Sequence, residues 1–176
     1  MDIAERMKEA NRYYMTHGND TLRMETAALG QHPYAVVICC SDSRVIPEQI
    51  FHAEIGDLFV IRVAGNVLDK HQIGSVEYAV SHLGCKLVLM LGHTGCGAVG
   101  AALKGEADGH ISFITKDIQK AIGMECDPDT ACRLNVIHGV KLLREAFLSE
   151  SDPADVEIRG AIYDIRTGAV EWLETK

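Results

Sequence analysis

The sequence predicts a single α/β domain with a mainly parallel central β-sheet flanked by helices. Three observations carry that prediction. The best strand candidates, "YAVVICC" (34–40) and "KLVLMLG" (86–92), are continuous apolar runs, as expected of strands buried on both faces. Segments with helical spacing separate the strand candidates, and such alternation marks β–α–β units around a parallel sheet. The chain has 176 residues, 47% of them hydrophobic, which suits one domain with a real core.

Taken in order, residues 2–16 read as an amphipathic helix, with Ile3, Met7, Ala10 and Tyr14 at helical spacing. Its apolar face has little within the chain to cover, so residues 1–17 are expected to form a helical arm that packs across a second subunit. Residues 34–40 form the first strand, and "DLFVIRV" (57–63) the second. "GSVEYAVSHLG" (74–84) is a short helix that ends at a glycine. Residues 86–92 are the third strand. "SFITKDIQKAIG" (112–123) and "DTACRLNVIHGVKLLREAFLSE" (129–150) read as helices. "VEIRGAIYDIRTGAVEWLE" (156–174) reads as a strand, a Thr-Gly turn and a further strand. No repeat, low-complexity tract or linker interrupts residues 1–176, which are read as one domain.

The formal net charge is −8, which argues against nucleic-acid or anionic-membrane partners, since both call for a basic surface. No apolar run approaches the roughly 20 residues that span a bilayer. The opening "MDIAERMKEANRYY" lacks the apolar centre of a signal peptide. A cytoplasmic location follows as the expectation. There the six cysteines stay reduced and serve burial, metal ligation or nucleophilic chemistry. Cys85, Cys126 and Cys132 read as buried free thiols.

The chemistry gathers at strand ends, where α/β sheets build their sites. Cys40 closes the first strand and His93 follows the third. "HTGC" (93–96) sets a His and a Cys three apart where a loop enters a helix, and imidazole and thiolate are both good zinc ligands. Alternation of side chains along an extended segment gives Cys40, Asp42 and Arg44 one parity and Cys39 the other. Cys40 is therefore the third ligand and Cys39 a core residue; the reverse assignment would orphan Asp42 and Arg44. Alone, "HTGC" reads equally well as a helix start with a core cysteine, and "DSR" as a surface ion pair or cap. Together, at two neighbouring strand ends, they read as a site.

Cys40, His93 and Cys96 around one zinc leave a fourth tetrahedral position for water, the arrangement of a catalytic centre. Two thiolates weaken the pull of the ion on that water, yet hydroxide near neutral pH remains within reach. Asp42 can accept a hydrogen bond from the hydroxide and aim its lone pair. Arg44 offers a forked donor that keeps Asp42 ionised and off the metal.

"CSDSR" (40–44) followed by "HTGCG" (93–97) resembles the β-class carbonic anhydrases. The resemblance runs through "VIPEQIF", "GDLFVIRVAGN", "GSVEYAVSHLG", "VLMLGHTGCGAV" and "GAIYDIRTGAVEWL" and covers nearly the whole chain, most weakly at 104–130. It implies the family's fold and the reversible hydration of CO2 to bicarbonate and a proton, by attack of zinc-bound hydroxide. It also implies one zinc per subunit on Cys40, His93 and Cys96, and an Asp42–Arg44 dyad.

Members with a plant-like pocket are similar at three further positions. Gln31, nine residues before Cys40, matches a glutamine that donates to the bound substrate oxygen, and Phe59 and Tyr78 match aromatic residues of the pocket. In that family the two aromatics come from the other subunit, which implies a homodimer or higher oligomer with its active site at the interface. Read from the residues alone, Phe59 and Tyr78 are ordinary core residues. Other members have a bicarbonate-regulated closed form and carry a tryptophan three residues before the first cysteine ligand. Val37 stands there in this chain, although Arg62 and Tyr163 match the rest of that set. The expectation is an open site near neutral pH. Val63, where the family often has asparagine, is a departure that leaves the ligands untouched. Of His17, His52, His71, His82 and His110, nothing singles out a proton shuttle.

Overall fold

The computed structural model describes residues 2–106, 108–147 and 156–175. Thirteen elements follow in chain order among them. They are α1 (Ile3–His17), α2 (Asp20–Leu29), β1 (Ala35–Cys39), α3 (Pro47–Ile50), β2 (Leu58–Arg62), a 3-10 turn (Ala64–Asn66), α4 (Lys70–Leu83), β3 (Leu87–His93), α5 (Gly97–Leu103), α6 (Ile111–Ile122), α7 (Pro128–Phe147), β4 (Glu157–Tyr163) and β5 (Val170–Leu173).

One five-stranded sheet runs in the order β2-β1-β3-β4-β5. The first four strands are parallel, and β5 folds back antiparallel on β4. This is the mainly parallel α/β sheet expected from the apolar runs. The chain leaves β1 for β2 on one side and returns to β3 on the other, so the strand order switches direction at β1. Such a point opens a crevice at the carboxyl ends of the strands. Cys39 lies opposite Leu91 in the register, so Cys40 and His93 emerge close together at that edge.

The pleat divides the core between the two faces of the sheet. Val36, Ile38, Cys40, Val88 and Met90 pack beneath the helices on one side, with Val76, Val99, Ile118, Val136 and Leu143. Val37, Cys39, Leu89, Leu91 and Ala161 form a smaller cluster with Val45 on the other side. A fully buried Ile118 or Leu143 contributes about 1.5–3 kcal/mol of transfer free energy. Gly92 lets α7 lie directly on the sheet beside His93: a Cβ there would come within 2.5 Å of Val136 and 2.9 Å of Ile162.

Some boundaries differ from the sequence reading for visible reasons. α4 starts at Lys70, before Gly74, because Asp69 and Gln72 form a capping box. α2 and α3 were not expected; α2 buries no residue, and α3 is only four residues long. The last three residues of the helix expected over 129–150 lie outside the described residues. Cys126 is exposed, against the expectation of a buried thiol. It sits in the connection between α6 and α7, beyond the cap at Gly123 and before Pro128, where no helix face buries it. Cys85 and Cys132 are buried as expected. No helix of the described residues is long and apolar enough to cross a membrane.

Candidate active site

Past β1 the chain carries Cys40 and Asp42 outward and turns at Ser43–Arg44. β3 ends on His93, and Cys96 stands at the start of α5. One ligand atom each from Cys40, His93 and Cys96 lies within 4.8 Å of the other two, and all three residues are buried. The two sulfurs are 4.0 Å apart. Donors bound tetrahedrally to one zinc stand about 3.5–4 Å apart by their bond lengths, so the trio is nearly at ligating separation.

The histidine supplies an independent test of that fit. Its Nδ1 lies 2.9 Å from the Thr94 carbonyl oxygen, and donating there leaves Nε2 as the atom with a free lone pair. Nε2 is buried and has no hydrogen-bond partner among the described residues. An orphaned buried nitrogen costs about 1–3 kcal/mol, and a metal ion between it and two thiolates would satisfy it.

The two sulfurs lie within hydrogen-bond range of each other. The Cys96 thiol donates to Cys40; burial opposes ionisation, but His93 and the Gly65 and Asp42 backbones assist it, and Cys40 falls to about 4. Cys96 is pushed upward by the same hydrogen bond, by burial and by the Cys40 charge. Burial disfavours the charged form of His93, but the Cys40 thiolate and the Thr94 carbonyl outweigh this and raise it. Cys39, one residue away, behaves oppositely: burial among apolar neighbours pushes its thiol up to about 12. Cys40 thus lies with His93 and Cys96, and Cys39 lies in the smaller core cluster on the other face of the sheet.

Asp42 and Arg44 form a two-pronged pair. Arg44 Nε donates to Oδ1 at 2.9 Å and Nη2 to Oδ2 at 2.7 Å, while the Arg44 backbone N–H donates to Oδ1 at 3.0 Å. These bonds, the side-chain ones foremost, hold the Asp42 carboxyl well below the usual range despite partial burial. Oδ2 also faces His93 Nε2 at 4.0 Å, too far for a hydrogen bond but close enough to border the same small space.

Two supports were missed in the sequence. Arg62 Nη2 donates to the Asp42 carbonyl at 2.7 Å and Nε to the Cys40 carbonyl at 3.3 Å, clamping the backbone that carries ligand and dyad. An arginine ending an apolar strand was the available signal. The Gly65 N–H donates to Cys40 Sγ at 3.3 Å, and Asn135 Nδ2 donates to the Gly65 carbonyl at 2.8 Å. An amide in the apolar stretch of α7 was the faint signal there.

The other predicted site residues do not join the trio within one chain. Gln31 is exposed, on the approach to β1. Phe59 lies opposite Val36, near the amino end of β1, and its ring stands 6.3 Å from that of Tyr78 on α4. The four residue steps of β1 separate its ends by about 13 Å. Among the described residues none of the three forms a hydrogen bond with Cys40, His93 or Cys96. Val37 is buried in the smaller core cluster, and Tyr163 pairs with His93 across β3 and β4.

Comparison with known proteins bears on this site. A family model described as carbonic anhydrase matches residues 35–170. Carbonic anhydrase 2 of Mycobacterium tuberculosis is 52% identical over 82 residues, 47% of this chain and 40% of that protein. The carbonic anhydrase of Pseudomonas aeruginosa is 33% identical over 174 residues, 85% of this chain and 77% of that protein. The matches span 40% to 49% of the length of the first curated relatives. The structure of the Coccomyxa β-carbonic anhydrase in complex with acetazolamide superposes with a TM-score of 0.81 at 29% identity, covering 98% of this chain and 87% of that one. One of two tetrameric β-carbonic anhydrases of Sordaria macrospora gives 0.78 at 28% identity, covering 97% and 95%.

Proposed function

This chain belongs to the β-carbonic anhydrases, and from that membership we propose that it catalyses the reversible hydration of CO2 to bicarbonate and a proton, with one zinc per subunit on Cys40, His93 and Cys96. The observation that carries the reading is the buried trio faced by an Asp42 that Arg44 holds from the other side. A structural zinc or a dithiol would call for neither member of the dyad.

When bound, zinc supplies the Lewis acidity that makes water nucleophilic near neutral pH. The chain's own groups do the rest. His93 and the two sulfurs fix the centre at the carboxyl edge of β1 and β3. Asp42, ionised at any working pH, accepts a hydrogen bond at Oδ2 from the O–H of the attacking oxygen and turns its lone pair toward the carbon of CO2. Arg44 keeps that carboxylate aimed and, by occupying both its oxygens, restrains it from closing on the metal. The site therefore stays open near neutral pH. Zinc bound to Asp42 in a crystal grown at about pH 7–8 would refute this openness. The proton released by hydration passes to buffer.

The substrate pocket is completed by Gln31, Phe59 and Tyr78 across the interface of a homodimer or higher oligomer. This is supported by their position toward the other end of β1, by the 48% exposure of Tyr78 and by an α1 that buries no residue. The tetramers described for Sordaria macrospora are in keeping with it. The cytoplasm, where thiol ligands stay reduced, is the compartment this reading assigns.

The test is stopped-flow CO2 hydration by the zinc-loaded protein at about pH 8, beside Cys40→Ser. Fast hydration by the wild type and none by the variant is the expected result. No hydration with zinc bound would overturn the reading and turn attention to the linear analogues COS and CS2.

A further inference from the structure

We infer that Asn135 is a positioning residue of the metal centre, acting through Gly65 on the sulfur of Cys40. This rests on the zinc reading above. Asn135 projects from the buried face of α7 and is 5% exposed. Its Nδ2–H donates to the Gly65 carbonyl at 2.8 Å. Gly65 in turn donates its N–H to Cys40 Sγ at 3.3 Å. The two bonds sit on either side of one α-carbon, so the φ and ψ of Gly65 connect them. Those angles are +69° and 13°, a left-handed conformation open to glycine at little cost.

The surroundings leave this link little freedom. A Cβ on Gly65 would come within 2.8 Å of Ile118 and 3.0 Å of Ala98, so helices α5 and α6 press on the turn. The Asn66 N–H closes it onto the Val63 carbonyl at 2.9 Å. With its α-carbon crowded and its carbonyl held by Asn135, Gly65 has its N–H aimed at Cys40. α7 can reach this point because Gly92 lets it lie against β3.

The chemical consequence concerns charge. Two thiolates make the centre electron-rich. An N–H donated to one sulfur withdraws part of its negative charge and fixes its direction, as outer partners of metal ligands do. Asn135 thereby sharpens the pull of the metal on its open position without touching substrate or metal.

Asn135 also borders a cavity of about 290 Å³ lined by Asn66, Lys120, His138 and Leu142. Truncation to alanine would open a path for water to replace the amide, so near-isosteric variants are the better test. Asn135→Leu removes the donor, and Asn135→Asp sets a carboxylate against the Gly65 carbonyl. Both are to be checked for secondary structure by circular dichroism. Metal affinity is then read by chelator competition, the thiolate-to-metal charge-transfer band with Co(II) as the ion, and the acid–base midpoint by the pH profile of CO2 hydration.

The expected result is folded protein with zinc affinity lowered about tenfold to a hundredfold, a charge-transfer band moved to lower energy and a midpoint moved to higher pH. Folded variants with wild-type affinity, band and midpoint overturn the proposal. So does an affinity loss with band and midpoint unmoved, which is the mark of a merely structural residue. Should neither variant fold, the wild type loaded with 113Cd decides. Scalar coupling from the Gly65 amide proton to cadmium, together with coupling between the Asn135 amide and the Gly65 carbonyl, is expected; absence of either overturns the proposal. If the wild type hydrates no CO2, the zinc reading of function fails, while the affinity and charge-transfer measurements still decide the role of Asn135.

Discussion

At its carboxyl end, β1 delivers Cys40 into a trio that a single chain assembles, buried and backed by Asp42, Arg44 and Arg62. Around its amino end, Gln31 lies exposed and Tyr78 stands half in solvent beside Phe59. α1 lies nearby in sequence with Ile3 and Met7 at 78% and 70% exposure. One region is satisfied within the fold, and the other is left with apolar surface to cover. On the proposed function the two regions have different needs. The trio requires a strand register and a helix start, and the proposed substrate pocket requires another copy of the chain.

The largest expected effect separates Cys40 from Cys39. Cys40→Ser is expected to lose bound zinc and all measurable CO2 hydration, read by metal analysis and stopped flow. Cys39→Ala removes a buried sulfur on the opposite face and is expected to keep both, at a stability cost of about 1 kcal/mol in thermal denaturation. Equal damage from the two would show that the pleat does not divide their roles.

Asp42→Asn comes next. The amide is nearly the same size, and it cannot hold the negative charge that Arg44 pairs with. Zinc content should be unchanged and turnover should drop by about 10² to 10⁴, the usual weight of one proton-handling group. Unaltered turnover with full zinc would show that the Asp42 carboxylate takes no part in the chemistry.

The carboxyl-end site was largely legible because periodicity carried it. Alternation along 38–44 separates Cys39 from Cys40, and the apolar runs of β1 and β3 place Cys40 and His93 at adjoining ends. What stayed hidden depends on tertiary contacts with no local signature. Asn135 interrupts an apolar helix face and looks like any polar residue until the Gly65 carbonyl is seen beneath it. Arg62 could be read as the end of β2, but its hold on the Asp42 carbonyl spans 20 residues. Cys126 was misjudged although "MECDPD" (124–129) contains turn-forming residues; the exposed connection was readable there.

Metal uptake by the trio is expected to depend on pH. A thiol must lose its proton to ligate zinc, and Cys96 holds its proton more tightly than a free thiol because it donates it to the Cys40 thiolate. His93 is also raised, and its proton competes at lower pH. Both shifts have the same sign: protons are released on binding, so affinity climbs as pH rises. Chelator competition between about pH 6 and 8 should show roughly a tenfold gain per pH unit for each proton released. A flat profile would mean that the ligand set differs from Cys40, His93 and Cys96.

The smallest expected effects belong to the amino-end region. Phe59→Ala and Tyr78→Ala should keep full zinc, since neither residue reaches the trio within its own chain. If a second subunit brings them over the open position, kcat/KM for CO2 should fall by about tenfold or less, since each would remove apolar contact with a small substrate worth no more than about 1.4 kcal/mol. Sedimentation gives the decisive companion reading, with a dimer or larger species expected at micromolar concentration. A monomer with full activity would leave both rings merely packing β2 against α4 and would confine the site to the carboxyl end of the sheet. A dimer whose activity ignores both substitutions would keep the shared surface but remove it from the chemistry. Only loss of activity in an intact, zinc-loaded oligomer ties the exposed end of one chain to the buried trio of another.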